Sequence, residues 1–254
     1  MVVSAAVAQT APPDVVKGLA PAGRLRAAIN FGNPVVAQKD AATGDPRGVS
    51  VDLSRELARR LGVPVELVRY DAAGKVADAV RTGAWDIAFL AIDPVRANEI
   101  AFTAPYVLIE GTYLVRADSP LRTIDDVDRQ GVRVVVGNKS AYDLHLTRTL
   151  KHAELVRAPT SQAVIEVFSN GRFEVAAGVK QQVQHFAASR PELRVMEGRF
   201  MAIEQAMATP KGREAGFTYL RAFVEEMKRT GFVAEALARS DQKGAAVAPV
   251  AKPQ

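Results

Sequence analysis

An arginine sits where a helix should begin. The run WDIAFLAI, Trp85 to Ile92, is continuously apolar and reads as a strand covered on both faces. It delivers the chain into Asp93-Pro94, a capping residue followed by proline at the first helical position. Arg96 then falls in the first helical turn, where a cation opposes the favourable sign of the helix dipole and needs a compensating partner. A guanidinium fork can supply one by gripping a ligand carboxylate through two parallel hydrogen bonds. A solvated position or a structural ion pair would serve as well, and spacing leaves these readings open. A second helix start lies at Ser140, which with Asp143 makes a capping pattern ahead of Tyr142 to Leu150. Such a terminus presents unpaired N–H donors and partial positive charge to an anion.

Other chemistries are thin. His145, His152 and His185 are neither at i, i+4 spacing nor beside acidic clusters, so no zinc site is expected. The sequence contains no cysteine, which excludes thiol catalysis. No G-x-S-x-G, Walker or G-x-G-x-x-G pattern is present, and no cofactor or metal is expected.

The elements that must position Arg96 and Ser140 alternate between β-branched runs and helical patterns, as in βαβ wiring. Leu25 to Phe31, Val63 to Leu67 and Trp85 to Ile92 read as strands, with helices at Val51 to Leu61 and Ala73 to Arg81 between them. After Ser119-Pro120 a second series begins. Its strands are Val132 to Val136, Leu155 to Arg157, Phe173 to Val179 and Leu193 to Met196, and its helices include Thr160 to Ser169. Glu204 to Thr209 reads as a further strand, Lys211 to Met227 as a long helix and Gly231 to Ala238 as a short one. Two α/β units fit this order better than one.

With 254 residues, 48% hydrophobic and 24% charged, the chain has the balance of a globular protein with a substantial core. Its net charge of +5 is spread among acidic residues, which weighs against a nucleic-acid partner. VVSAAVA, Val2 to Ala8, resembles the end of a secretory signal, with cleavage expected before Gln9. No later run approaches the roughly 18 apolar residues of a membrane span. GAAVAPVAKPQ, from Gly244, reads as a disordered tail.

GVSVDLSRELARRLG from Gly48, followed by TGAWDIAFLAIDPVRANEIAFTAPYV from Thr82, resembles the polar-amino-acid-type periplasmic solute-binding proteins of ABC transporters, family 3 of the bacterial extracellular solute-binding proteins. The resemblance covers roughly Leu25 to Leu237. It implies an α/β, two-lobed periplasmic-binding-protein fold of type II, each lobe a mainly parallel sheet flanked by helices and joined by two extended crossings. Residues 1–23 would be signal remnant and leader, 24–115 plus 200–240 the first lobe, 118–197 the second, and 241–254 the tail. The crossings are expected near Val115 to Ser119 and Val195 to Ala202. Arg96 matches the family's carboxylate-holding arginine, and Ser140 with the Ala141 and Tyr142 amides matches the loop of the other lobe that binds the same group. A ligand held from both lobes binds the closed state better than the open one, and that difference drives closure.

Departures from the pattern bear on the ligand. Where amino-acid binders place an acid for the ammonium, GRFEVAAGVK offers Val179 and Lys180. The small hydroxyl residue expected before the arginine is Ala91, preceded by Phe89 and Leu90, and the covering aromatic aligns with Gly32, next to Phe31. A standard α-amino acid is therefore a poor expectation. Lys180 either lines a doubly cationic cleft suited to a dicarboxylate or is an exposed helix-start lysine. Glu204 and Glu110 are either sources of the missing negative charge or solvated and hinge-supporting carboxylates. Asn33, Asn138 and Tyr142 are expected as polar wall residues, and Trp85 and Phe102 as core. The resemblance implies an exported, periplasmic, monomeric, non-enzymatic receptor that hands a small carboxylate to an ABC permease. An alternative is a dehydratase of the cyclohexadienyl or arogenate type on the same fold, which needs a poised acid in the cleft.

Overall fold

The computed structural model describes residues 11–242 and 244–251. The expected signal remnant, Val2 to Ala8, lies outside them. The chain runs α1 (Pro13–Leu19), β1 (Leu25–Asn30), the short pair β2 (Gln38–Lys39) and β3 (Pro46–Arg47), α2 (Val49–Leu61), β4 (Val65–Tyr70), α3 (Ala73–Asp78) and β5 (Ile87–Ala91). It continues through β6 (Ile100–Arg116), β7 (Arg133–Gly137), α4 (Ala141–Thr149), β8 (Glu154–Ala158), α5 (Val164–Asn170), β9 (Val175–Val179), α6 (Lys180–Ala187) and β10 (Leu193–Val195). The last elements are β11 (Met201–Pro210), α7 (Glu214–Arg229), α8 (Phe232–Arg239) and β12 (Ala246–Val247).

The strands form one twisted path, β4-β1-β5-β11-β6-β9-β7-β8, with β10 and β12 also paired to β6. β4, β1 and β5 are mutually parallel, as are β8, β7 and β9. Between these halves β6 and β11 run antiparallel and carry the chain from one lobe to the other. Alternation decides which face each strand residue covers. Ala27, Ile29, Ile87 and Phe89 join one core with Leu53, Leu57 and Phe223, while Ala28, Ala88 and Leu90 join a second with Trp85. In the other lobe Val134 and Val136 pack with Tyr142 and Leu146, and Val135 packs with Phe168 and Val183 on the reverse face. Both sheets are thus covered on both sides, as their continuous apolar runs require.

α2 shows how locally determined these elements are. Leu53, Leu57 and Leu61 fall on one buried stripe, each contributing about 1.5–3 kcal/mol by burial. Gly62 stops the helix in the left-handed conformation (φ 69°), and its N–H bonds back to the last turn.

Three expectations need correction. The leader includes a packed helix: Leu19 on α1 is fully buried, and Gly18 lies against Gly216 of α7 so closely that an added Cβ would stand 3.2 Å from its nitrogen. The tail is paired over part of its length, because β6 offers an unfilled edge at Val107 and Leu108 that β12 occupies. Ala248 then donates to the Tyr106 carbonyl, and the buried Lys228 ammonium donates to the Pro105 and Pro249 carbonyls. The first crossing also comes earlier than Val115. β6 hands over from β11 to β9 at Gly111, since YLVR continues the buried run without a break and its residues already pair in the second lobe. The chain returns through Met196 to Met201, where Met196 and Phe200 donate to the Tyr113 and Gly111 carbonyls.

Candidate functional site

β5 ends at Ala91, and the chain turns through Asp93, whose carboxylate accepts the Val95 amide at 2.9 Å and the Arg96 amide at 3.4 Å. The expected cap forms, but the helix is only a short 3-10 turn, Arg96–Asn98, because β6 begins at Ile100. This turn aims Arg96 back into the interlobe crevice, where the residue is 6% exposed. Its Nη1 donates to the Ala91 carbonyl at 3.0 Å and its Nη2 to the Lys139 carbonyl, across the crevice, at 2.9 Å. Nε is buried with no partner. A guanidinium has five N–H donors, so most of its capacity remains unspent. Burial pulls its pKa down to about 10, opposed by the charges of Asp93 and Asp78, and the group is cationic at neutral pH.

Facing Arg96 is the N-terminus of α4. Ser140 Oγ accepts the Asp143 amide at 3.1 Å as an N-cap, and the Asp143 carboxylate reaches one residue further back to accept the Lys139 amide at 2.7 Å. The Ala141 and Tyr142 amides make no hydrogen bond to another described residue. Both belong to the four donors a helix start leaves open. The Tyr142 hydroxyl is buried near Ser140 and Ser161 without a hydrogen bond of good geometry. A cation from one lobe and an amide cluster from the other therefore converge on one small space of about 30 Å³.

The lobes are held together at the rim. Lys139 pairs with Asp78 at 2.8 Å, Arg148 with the buried Asp93 at 2.8 Å, and Gln162 donates to the Phe31 carbonyl at 2.7 Å. Lys139 has left-handed backbone (φ 54°), and its Cβ lies so near α3 that a Cβ on Gly74 would stand 2.6 Å away. Only glycine lets the lobes approach this closely at that point.

The sequence-identified residues Arg96, Ser140, Ala141, Tyr142, Ala91, Phe89 and Asn33 line this space together. Phe31 does not: its ring packs on the lobe core under Lys39, while Gly32 faces the crevice. Lys180 does not either. It lies beyond the end of β9, where Val179 faces the cleft, and its Nζ meets Glu110 at 2.6 Å. Arg199 joins the same carboxylate at 3.2 Å, and the two cations hold Glu110 below the usual carboxylate range. The doubly cationic cleft is therefore absent among the described residues, and Glu110 is spent on these two ion pairs. Glu204 is exposed, on the opposite face of β11 from Ile203 and Gln205. Asn138 is absent from the lining. Trp85 is fully buried and donates to the Val76 carbonyl.

Sequence reading missed Asn30, Ser161, Ile203 and Gln205 as wall residues. A polar residue at an inward position of the apolar run after Ile203 is the signal that could have marked Gln205. Among the described residues no cluster of metal-ligating side chains occurs, and no helix is long and apolar enough to cross a membrane.

Known proteins share this architecture. The P235GK mutant of ArgBP from T. maritima superposes with a TM-score of 0.76 at 21% identity, over 90% of this chain and all of that one, 100%. The ancestral amino acid-binding protein AncCDT-1, a precursor of cyclohexadienyl dehydratase, gives 0.73 at 21% identity over 88% and 97%. In sequence, the amino-acid-binding protein AabA of Dichelobacter nodosus is 22% identical over 195 residues, 75% of this chain and 77% of AabA. The sequence profile of the bacterial extracellular solute-binding proteins, family 3, matches residues 25–239. A match spanning so much of the sequence makes the chain a member of that family.

Proposed function

We propose that the protein is an exported, periplasmic receptor that captures a small carboxylate between its lobes and delivers it to an ABC permease. The observation that carries this reading is the buried Arg96, with an orphaned Nε, opposite the unpaired Ala141 and Tyr142 amides. One carboxylate can satisfy both sides at once only when the lobes are together, so it favours the closed state by differential affinity. The charge-assisted bonds involved are about twice as strong as neutral ones. The family is named for solute binding, and the dehydratase alternative lacks its acid, since no Asp or Glu is among the described lining residues.

The test is a thermal-shift and calorimetric screen of amino, oxo, hydroxy and unsubstituted carboxylic acids on the wild type and Arg96→Met. A true ligand at a hundredfold excess over its Kd stabilises the wild type by about 2.7 kcal/mol. That shift should vanish in Arg96→Met. Binding that survives the substitution undiminished would refute the proposal.

A further inference from the structure

The lining of the cleft has a chemical bias. Arg96 is the one charged side chain among the described lining residues. The acids nearest to it are committed elsewhere: Asp93 to Arg148, Asp78 to Lys139 and Glu110 to Lys180 and Arg199. The polar wall residues are neutral. Asn30 Oδ1 already accepts the Gly32 amide at 2.9 Å and Asn33 Oδ1 the Val35 amide at 3.2 Å, which leaves their NH₂ groups. Gln205 stands apart. It is 6% exposed, lines the cavity, and its side-chain amide makes no hydrogen bond to another described residue. Its register partner across the antiparallel β11-β5 ladder is Ala91, whose carbonyl holds Arg96. The register thus sets Gln205 beside the residue whose carbonyl holds the guanidinium, and both line the same cavity.

A side-chain amide that faces the cavity without a protein partner is free to bond a ligand there. An ammonium would find only neutral acceptors here, beside a cation and with no lining carboxylate to offset its charge. A carbonyl oxygen brings acceptors, and a hydroxyl brings both. We infer that Gln205 reads the substituent next to the carboxylate, and that the ligand is a 2-oxo or 2-hydroxy acid rather than a zwitterionic amino acid. The inference rests on the carboxylate reading above and specifies its ligand class. It also separates this chain from relatives named for amino acids.

The test compares matched series by calorimetry: pyruvate, lactate, propionate and alanine; 2-oxoisovalerate, 2-hydroxyisovalerate, isovalerate and valine; phenylpyruvate, phenyllactate, 3-phenylpropionate and phenylalanine. In the best-binding series the oxo or hydroxy acid should bind at least about tenfold tighter than the amino acid. Gln205→Met should remove most of that preference, and Gln205→Glu should turn the preference toward the amino acid. Apo melting temperatures of both variants control for folding. An amino acid binding tightest to the wild type, with Arg96 still required, would overturn this inference and leave the carboxylate receptor standing. An unchanged oxo-to-amino ratio in both Gln205 variants would also overturn it. Failure of every acid in all three series, in wild type and Arg96→Met alike, would overturn both readings.

Discussion

Arg96 and Lys180 could have shared the cleft, but the structure places one in it and pairs the other with Glu110 outside it. Both are cations on the C-terminal side of an apolar strand. Lys180 meets Glu110, with Arg199 beside the same carboxylate. Arg96 is far more buried, yet its only partners are two backbone carbonyls and its Nε has none. The difference locates function better than charge does. A satisfied cation is structural, whereas a desolvated cation with unused donors carries a cost that a ligand can relieve.

The largest effect expected from breaking this comparison is on affinity. Arg96→Met should weaken carboxylate binding at least a hundredfold, consistent with the roughly 2–5 kcal/mol of losing one partner of a buried charged contact. The apo fold should change little, because the loss of two charge-assisted hydrogen bonds is offset by removing a buried, desolvated cation. Lys180→Met should leave the Kd within about threefold, because no ligand contact is removed. Equal losses in the two variants, measured by calorimetry, would erase the distinction.

Two further substitutions sharpen the picture of the cleft. Val179→Asp puts a carboxylate in the lining at the N-cap of α6, a position where Asp is favourable, and should move the amino-to-oxo acid affinity ratio about tenfold toward amino acids. Gly74→Ala places a methyl 2.6 Å from Lys139 Cβ and should oppose the closed approach. The expected result is a several-fold rise in Kd and a larger radius of gyration in solution scattering with ligand. An unchanged Kd would mean that the lobes need not come this close.

The smallest effects are in pH, and they separate the cleft from the Glu110 pair by sign. Lys180 holds the Glu110 carboxyl below its ordinary value, so the stability it contributes is present above the usual glutamate range and is lost as pH falls through the lowered value. Glu110→Gln should abolish that part of the acid dependence of the melting temperature. Burial draws Arg96 down to about 10, so carboxylate affinity should fall as pH rises through that value. Deprotonation there favours the folded apo protein, because the unfolded arginine retains its proton to higher pH. Loss of binding near pH 10 is therefore not an unfolding effect of this group.

Much of this arrangement was legible in the sequence where the information is local. The apolar stripe and terminal glycine of α2, the Asp93 cap and the Ser140 N-cap depend on residues within one or two turns of each other. What was hidden depends on distant pairing. Gln205 becomes a wall residue only through the register of β11 against β5, and β12 forms only because β6 leaves an edge open. Lys180 illustrates a finer limit. Val179 faces the cleft and Lys180 reaches Glu110, a distinction that composition and motif spacing do not encode.

The central claim is that one carboxylate is held jointly by Arg96 and the start of α4. A crystal structure with the tightest-binding acid of the matched series tests it directly. The account predicts carboxylate oxygens within about 3 Å of both an Arg96 nitrogen and the Ala141 or Tyr142 amide. A carboxylate bound elsewhere, with Arg96 still engaged only by the Ala91 and Lys139 carbonyls, would contradict it.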